Sequence, residues 1–270
     1  MRFSLRLNND LPVAEYRLLA QRAEALGFDQ FWVSNDLFLR FGPAILLDVA
    51  HATQRIEVGT GILNPYTLHP GEMAMLAATM DELTGNRFNL GLAAGASEFL
   101  KWVGIEQQAP LATVRETILA VRALLRGERV EFAGERLNWN AEAYLRFDPR
   151  RVTPIYVGAM GPKMLALSGE LADGALPLLF PPEHYFGVQP YIAQGLAQRD
   201  PILPSLDLGV CIWVSLAEDR AAARRVLAQK IAYYGHALGP LIWDRLGLVR
   251  ADFDAIEHAM MVARDEEKAI

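Results

Sequence analysis

The sequence lacks the residues that mark secreted, metal-binding and membrane proteins. Its single cysteine, Cys211, cannot form an internal disulfide, and its apolar neighbours predict a place in the core. The five histidines have no spacing typical of metal ligands, so we predict no metal site. No apolar run reaches the ~18 residues of a membrane span, and the first residues show no signal-peptide pattern. We therefore predict a cytoplasmic protein without a membrane partner.

Several function classes are disfavoured by charge and by missing motifs. The formal net charge of −6 argues against a general nucleic-acid binder, which needs a basic face. Neither a Gly-x-Ser-x-Gly nucleophile motif nor a phosphate loop ending in Gly-Lys-Ser/Thr occurs. The pattern Gly59-x-Gly61 lacks the third glycine of a dinucleotide fingerprint and does not open a helix. Serine hydrolases, phosphate-loop NTPases and Rossmann dehydrogenases are therefore poor matches.

Alternating strand and helix signals run along most of the chain. With 52% hydrophobic residues over 270 positions, the length suits a single parallel β/α barrel of roughly 250 residues. The predicted strands cover residues 2–7, 28–34, 56–62, 87–94, 154–157, 175–180 and 206–216. We therefore predict one domain over 1–270, folded as an α/β barrel.

Two regions depart from the simple strand–helix repeat. Residues 96–153 predict an insertion after the fourth strand, with a helix at 113–126 and a hairpin at 130–147 around Gly134. Residues 235–270 predict a helical tail, with segments near 238–246 and 252–268, and no eighth strand. An open seven-stranded sheet has two unpaired edges. We expect residues that follow Ile270 in the native chain to close it, or else the tail or a partner subunit to cover the edges.

The stretch from Glu57 to Pro70 organises the chemistry. Its β-branched residues predict a buried strand, and Pro70 opens the next helix. Gly59 and Gly61 interrupt the strand, which indicates a bulge or the close approach of another backbone or a ligand. In a parallel barrel the carboxyl ends of the strands meet at one face, where ligand sites lie. The other predicted strand ends are Asn35-Asp36, Gly95 to Glu98, Gly158 to Lys163 and Phe180.

Three segments resemble the bacterial luciferase-like superfamily, and in particular its methylenetetrahydromethanopterin reductase branch, which uses the deazaflavin coenzyme F420. They are TGILNPYTLHP at 60–70, ATMDELTGNR at 78–87 and IYVGAMGPKM at 155–164. The resemblance implies a luciferase-like barrel of the (β/α)8 TIM type, with the eighth strand missing from this chain. It also implies a non-prolyl cis peptide between Gly61 and Ile62, in a bulge that backs the deazaflavin ring.

The resemblance implies an oxidoreductase that transfers a hydride between coenzyme F420 and a small organic substrate. The residues implied to contact the cofactor are Thr60, Gly61, Ile62, Asn64, Gly95, Ala96, Gly158, Ala159, Met160, Gly161 and Lys163. A monooxygenase that uses flavin mononucleotide (FMN) and a non-catalytic flavin-binding protein are the alternatives. We predict a homodimer without nucleic-acid partners, and the substrate itself is not predicted.

Two ionisable residues carry the predicted site chemistry. The family shows an aspartate–histidine pair at the end of the second strand, where this chain has Asn35-Asp36. Asp36 is our predicted catalytic residue, as a base or as the acceptor of a substrate N–H, and a loop cap is the competing interpretation. Lys163 lies at a predicted helix start, where backbone N–H groups favour anions, although the local sequence alone fits a plain strand-to-helix turn. The resemblance of residues 155–164 to the cofactor-phosphate loop of the reductases implies that Lys163 binds the cofactor phosphate.

Several further residues have less decided roles. Lys101, Arg150 and Arg151 are predicted, with Lys163, to meet the anionic tail of the cofactor. Trp102 is either a substrate wall or a core or interface aromatic. Arg87 is predicted to form a salt bridge at the start of a strand.

Overall fold

The computed structural model describes residues 1–178 and 181–270. The β-strands of these residues are β1 (Ser4–Leu7), β2 (Gln30–Val33), β3 (Glu57–Thr60), β4 (Phe88–Leu92), β5 (Phe132–Ala133), β6 (Asn138–Trp139), β7 (Ile155–Ala159), β8 (Gly174–Pro177) and β9 (Asp207–Leu208). The α-helices are α1 (Val13–Ala25), α2 (Gly42–Ala52), α3 (Pro70–Thr84), α4 (Ser97–Lys101), α5 (Pro110–Leu125), α6 (Pro162–Leu171), α7 (Tyr185–Leu196), α8 (Arg220–Tyr234), α9 (Pro240–Leu246), α10 (Asp254–Glu257) and α11 (Glu266–Ala269).

Seven of the strands form one curled parallel sheet. Its order is β1-β2-β3-β4-β7-β8-β9, so each strand lies beside the next one in the chain once the β5–β6 hairpin is set aside. Sequential neighbours of this kind follow from right-handed strand–helix–strand connections. Within residues 1–178 and 181–270, no eighth strand joins the sheet. The predicted parallel sheet of seven strands is confirmed.

The register of the first strands divides the sheet into two faces. Phe31 is paired with Val58, and Val58 with Phe88, and all three are fully buried. This is the apolar face, because residues in register point to the same side. The alternate positions are polar or glycine and include Ser4, Gln30, Trp32, Glu57, Gly59, Asn89, Gly91 and Tyr156. We call this second side the polar face.

Trp32 explains one of the unusual glycines. A Cβ added to Gly59 would lie 2.4 Å from the Cε3 and Cζ3 atoms of Trp32. At Gly91 an added Cβ would lie 1.9 Å from the Thr60 carbonyl oxygen and 3.4 Å from Trp32 Cζ3. The close approach predicted at Gly59 is therefore that of an indole ring from the neighbouring strand, and not that of a ligand.

The described residues form two compact units. The first comprises 1–158, 171–175 and 199–207, and the second comprises 159–170, 176–198 and 208–270. In the second unit α6 and α7 pack at two glycines. An added Cβ would lie 1.8 Å from Ala166 O at Gly195 and 2.4 Å from Ile192 O at Gly169. The single domain over 1–270 stays a prediction.

Some elements differ from their predictions. Of the predicted strand 206–216 only Asp207–Leu208 belongs to the sheet, and Cys211 forms an isolated bridge with Leu178. Within residues 1–178 and 181–270 the alternation beyond Leu208 pairs only at Cys211, and Leu216 is 91% exposed. Cys211 is half-buried, so its predicted place in the core is wrong. Part of the predicted strand 175–180, including Phe180, lies outside the described residues.

The helices are longer, shorter or more broken than predicted. Helix α7 was not predicted, because Gly187, Pro190 and Gly195 interrupt its apolar pattern. The predicted helix 252–268 is instead α10, a π-helix at His258–Ala263 and α11. Arg264, with φ of +54°, separates the last two. The β5–β6 hairpin around Gly134 is confirmed, and Glu116 holds its turn by accepting three backbone N–H bonds.

Candidate functional site

In the first unit, the strand ends bring together four residues that are predicted to contact the cofactor, namely Ile62, Asn64, Gly95 and Gly158. Leu63 donates its N–H to Gly91 O (2.8 Å), and Ala93 donates to Leu63 O (3.0 Å), so the chain after β3 runs beside the end of β4. A Cβ added to Gly158 would lie 3.4 Å from Ile62 Cγ2 and 3.2 Å from Ala93 Cβ. The ends of β3, β4 and β7 therefore meet, as parallel strands predict.

Gly95 and Asn64 form the second contact of this cluster. Gly95 has φ of +70°, and a Cβ there would lie 2.4 Å from Asn64 Nδ2. Asn64 accepts the Tyr66 N–H through Oδ1 (2.9 Å), which fixes the turn before α3. Residues 93–96 are Ala-Ala-Gly-Ala and have no side-chain atom beyond Cβ. With Gly61 and Gly158 they make a floor of small residues, which we call the small-residue floor.

At the small-residue floor the structure tests two predictions, the cis peptide after Gly61 and the cofactor contact of Thr60. The Gly61–Ile62 peptide is cis, which confirms the prediction. Thr60 is fully buried, and its hydroxyl exchanges two 2.9 Å bonds with the Gly91 backbone. Its only donor is therefore used, and its side chain is buried away from any cofactor, so a contact is left to its backbone.

Asp36 lies just after β2, the neighbour of β3, in a loop that is hydrogen-bonded to Asn9. Its Oδ2 accepts from Ser34 Oγ at 3.4 Å, a long bond, and its N–H donates to Asn9 Oδ1 at 3.2 Å. Asn9 is fully buried and also bonds the Asp36 carbonyl (3.1 Å). Asn35 caps α2 by accepting the Gly42 N–H (2.9 Å). The cap role thus falls to Asn35, while the half-buried Asp36 carboxylate keeps free acceptor capacity.

Phe38, two residues after Asp36, belongs to a cluster of three aromatic side chains with Phe99 and Trp102. Phe38 has φ of +65° and is 72% exposed, and its ring stacks on Trp102 with centroids 6.4 Å apart. Phe99 meets Trp102 edge-on at 4.9 Å. Trp102 is 52% exposed, which rules out the core alternative and leaves the substrate wall and the interface.

Arg6 was not predicted as a site residue, although it lies on the polar face. Its Nε and Nη2 donate to the Gly61 carbonyl at 3.0 and 2.9 Å, and Nη1 donates to Asn8 Oδ1 at 3.3 Å. The signal in the sequence was an arginine at an alternate position of a strand, four residues after Arg2. That spacing puts both side chains on one face.

The second unit contains most of the predicted phosphate turn. Pro162 begins α6, and Leu165 N–H donates to Gly161 O (3.0 Å). Gly161 and Lys163 are exposed, Met160 is 39% exposed, and Ala159 is buried. The helix start is confirmed, and phosphate binding by Lys163 stays a prediction.

Two of the other arginines have structural partners. Arg151 makes two bonds to the Asp81 carboxylate (3.0 and 2.7 Å) and one to Phe88 O, at the amino end of β4. Its predicted contact with the cofactor tail is therefore wrong, because α3 holds it at the opposite end of the strand. Arg87 binds backbone carbonyls, including Ile56 O at 2.7 Å, in place of the predicted salt bridge.

The amino end of the polar face holds a connected network. Arg2 contacts the carboxylates of Glu57 and Asp207, and Glu57 accepts from Gln30 and Asn89 at 2.8 Å each. Tyr156 donates to Asp207 at 2.8 Å. Burial of the phenol, together with the Asp207 carboxylate, raises the pKa of Tyr156 to about 12. We call these six residues the amino-end network.

A further cleft lies away from the predicted site residues. It has a volume of about 720 Å³ and lies between the start of α3 and residues 138–147, and none of the predicted site residues lines it. Among residues 1–178 and 181–270, no group of three or more acidic, histidine or cysteine side chains is placed to hold a metal. No helix there is both long and apolar enough to cross a membrane.

Comparison with known proteins identifies the family. The model of the luciferase-like monooxygenase family matches residues 1–267. The chain belongs to this family. A 5,10-methylenetetrahydromethanopterin reductase of Archaeoglobus fulgidus is 31% identical to the luciferase-like chain, over 96% of it and 78% of the relative. An F420-dependent glucose-6-phosphate dehydrogenase of Nakamurella multipartita is 32% identical, over 76% of the chain and 64% of the relative.

A solved structure supports the fold. The coenzyme F420-dependent tetrahydromethanopterin reductase of Methanopyrus kandleri superposes with a TM-score of 0.86, at 24% identity, over 99% of this luciferase-like chain and 81% of that one. The predicted family and its TIM-type barrel fold are thus confirmed, with seven strands in the described residues. The Nakamurella multipartita dehydrogenase and the Methanopyrus kandleri reductase are named as F420-dependent.

Proposed function

We propose that this chain is an oxidoreductase that transfers a hydride between coenzyme F420 and a small organic substrate. Support comes from the two relatives, which are reductases or dehydrogenases, and one of which is named as F420-dependent. The observation that carries the proposal is the small-residue floor. A flat ring needs a surface without protruding side chains, and the exposed or half-buried residues of this floor, Gly95, Ala96 and Gly158, offer one.

The residues present fit a deazaflavin. Ile62 is half-buried beside Gly158 and offers apolar contact to a ring, while Asn64, the backbone of Ile62 and the backbone of residues 95–96 offer polar atoms. The cofactor supplies the hydride chemistry when bound. The protein's part is to position two reactants and to exclude water, which needs few ionisable groups. The shortage of such groups at the floor agrees with that division of labour.

Asp36 is the side chain that we propose for proton handling or for holding a substrate N–H. Its backbone is fixed by Asn9, and its carboxylate accepts only the long bond from Ser34. A carboxylate that keeps free lone pairs next to a rigid loop can accept a hydrogen bond from a reactant. The cytoplasmic location and the homodimer are proposed with the function.

Titration of the purified chain with F420 and with FMN tests the cofactor. We expect tighter binding of F420 at low salt, with a preference that shrinks at high salt, since salt screens the anionic tail. The titrations would follow cofactor fluorescence. Equal or tighter binding of FMN at low salt would favour the monooxygenase alternative. Turnover of any substrate by the pure protein would dismiss the non-catalytic alternative.

A pair of valine variants tests the floor. Ala96→Val adds two methyl groups to a residue that already has extended backbone, with φ of −88° and ψ of 134°. We expect F420 binding to weaken at least about tenfold, the scale of a 1.4 kcal/mol loss. Ala25→Val makes the same change at an exposed position on α1 and serves as the control. Equal affinities of the two variants would contradict the proposed floor.

A further inference from the structure

Arg6 lies in β1 and Arg2 lies two residues before that strand, and the surroundings of the two arginines differ. Arg2 is neutralised by the carboxylates of Glu57 and Asp207. Arg6, at the carboxyl end of β1, has no carboxylate within 4.0 Å anywhere in the part of the chain that the structure describes. The guanidinium group stays protonated at all ordinary pH values. The carboxyl end of the polar face therefore carries a positive charge without a counter-ion.

Arg6 differs from an ordinary solvated arginine because its side chain is held in place. Its Nε and Nη2 both donate to the Gly61 carbonyl, at 3.0 and 2.9 Å, and Nη1 bonds Asn8 at 3.3 Å. These bonds use three of the five N–H groups of a guanidinium and leave one on each terminal nitrogen. Two such donors suit an oxyanion, since a carboxylate or phosphate accepts two parallel hydrogen bonds from an arginine.

The position of Arg6 indicates which molecule brings the oxyanion. Its anchor is the carbonyl of Gly61, in the stretch proposed to lie against the deazaflavin ring, so the guanidinium group lies next to the proposed reaction site. We propose that Arg6 is a specificity-determining residue that binds the carboxylate or phosphate group of an anionic substrate. This inference rests on the proposed function, because it takes the floor beside Gly61 as the reaction site.

Binding of inorganic phosphate and of acetate, with and without saturating F420, tests the inference. Calorimetric titration of the folded chain is the measurement. We expect Arg6→Gln to raise the dissociation constant of at least one of these probes at least tenfold, and Arg6→Lys to raise it less, because a lysine keeps the charge without the fork. Arg22→Gln is the control, since Arg22 is an exposed arginine on α1, and it should change binding less than twofold.

Each outcome separates this inference from the proposed function. Arg6-dependent probe binding that persists with F420 bound supports a substrate subsite. Probe binding that is equal in the wild type, Arg6→Gln and Arg22→Gln overturns the inference, as does the absence of probe binding by the wild type. Loss of F420 affinity in Arg6→Gln, with probe and F420 competing, also overturns it, because Arg6 then belongs to the cofactor. Failure of the wild type to bind F420 at all would instead count against the proposed function.

If Arg6→Gln does not fold, Arg6→Lys carries the test. Thermal melting checks each variant before titration, because the bonds to Gly61 also brace the backbone. A folded Arg6→Lys that binds phosphate and acetate as tightly as the wild type would overturn the inference without any use of Arg6→Gln.

Discussion

The two ends of the polar face in the first unit differ in how their polar groups are used. At the amino end, Arg2, Glu57, Tyr156 and Asp207 satisfy one another in a connected network. At the carboxyl end there is a floor of small residues, with Arg6 and Asp36 keeping hydrogen-bonding capacity. A satisfied network stabilises a fold, whereas unused donors and acceptors have value only when a ligand arrives. The amino end therefore maintains the barrel, and the carboxyl end is available for chemistry.

Asp81→Ala should have the largest effect on stability at the amino ends of the strands. Asp81 is 1% exposed and bonds Arg151, Thr153 and the Phe88 N–H. Removal of one partner of a buried ion pair costs about 3–5 kcal/mol, and we expect about 3 because the Arg151 side chain is 30% exposed and can reach water. Denaturant unfolding measures the loss.

The control for Asp81 is a surface ion pair. Asp48→Ala removes the partner of Arg17, whose side chain is 54% exposed, and should cost no more than about 1 kcal/mol. Equal losses in the two variants would contradict the stabilising role of the buried Asp81–Arg151 ion pair.

Tyr156→Phe should change the alkaline stability by a smaller amount. The pKa of Tyr156 is raised to about 12 in the folded chain, against about 10 when unfolded, so the folded state holds the phenolic proton more tightly. The unfolded chain therefore loses that proton first, and the stability contributed below pH 10 is lost as the pH rises towards 12. Two pKa units correspond to about 2–3 kcal/mol.

The measurement is the free energy of unfolding of the wild type and Tyr156→Phe between pH 9 and about 12. We expect the wild type to lose about 2 kcal/mol more than the variant over this range. Parallel pH profiles of the two proteins would show that the amino-end network does not hold the Tyr156 phenol protonated, and would contradict the role of Tyr156 in that network.

Asp36→Asn should have the smallest effect on stability and a clear effect on turnover. The change keeps the size of the side chain and removes the charge, so we expect the free energy of unfolding to move by less than about 1 kcal/mol. Turnover should fall at least about tenfold while F420 affinity holds, since acid–base groups contribute 10²–10⁴-fold. Steady-state kinetics with F420 absorbance is the measurement, and Asp10→Asn, at an exposed carboxylate, is the control. Loss of F420 affinity with unchanged turnover would assign Asp36 to the cofactor.

Local signals predicted the strands that lie between helices. Val58, Phe88 and Leu90 are buried apolar residues that alternate with polar residues and glycine, which is the period of two of a strand with one apolar face, and glycines and prolines marked the strand ends. The same signals failed to predict α7, because Gly187 and Pro190 lie inside that helix and are normally read as the ends of helices. They also extended β9 beyond Leu208, since alternation predicts a strand but does not supply its partner.

The site was predictable only where it depended on backbone and strand order. The meeting of Ile62, Asn64, Gly95 and Gly158 follows from parallel strands that end at one edge. The partners of individual side chains did not follow. Arg151 is drawn to Asp81, 70 positions earlier, and Arg6 to a carbonyl 55 positions later. Such long-range pairs depend on tertiary packing, which no local pattern encodes.

The contact of Trp32 with Gly59 has a consequence for how the chain can change. The space at position 59 is occupied by the indole ring, so any larger residue there collides with it unless position 32 becomes smaller in the same step. Loss of the indole alone would leave a void that two glycines are too small to fill. Positions 32 and 59 therefore share one fixed volume, and their substitutions are epistatic. A change in this part of the barrel therefore needs a smaller residue at position 32 and a larger one at position 59 together, because either substitution alone leaves a collision or a void.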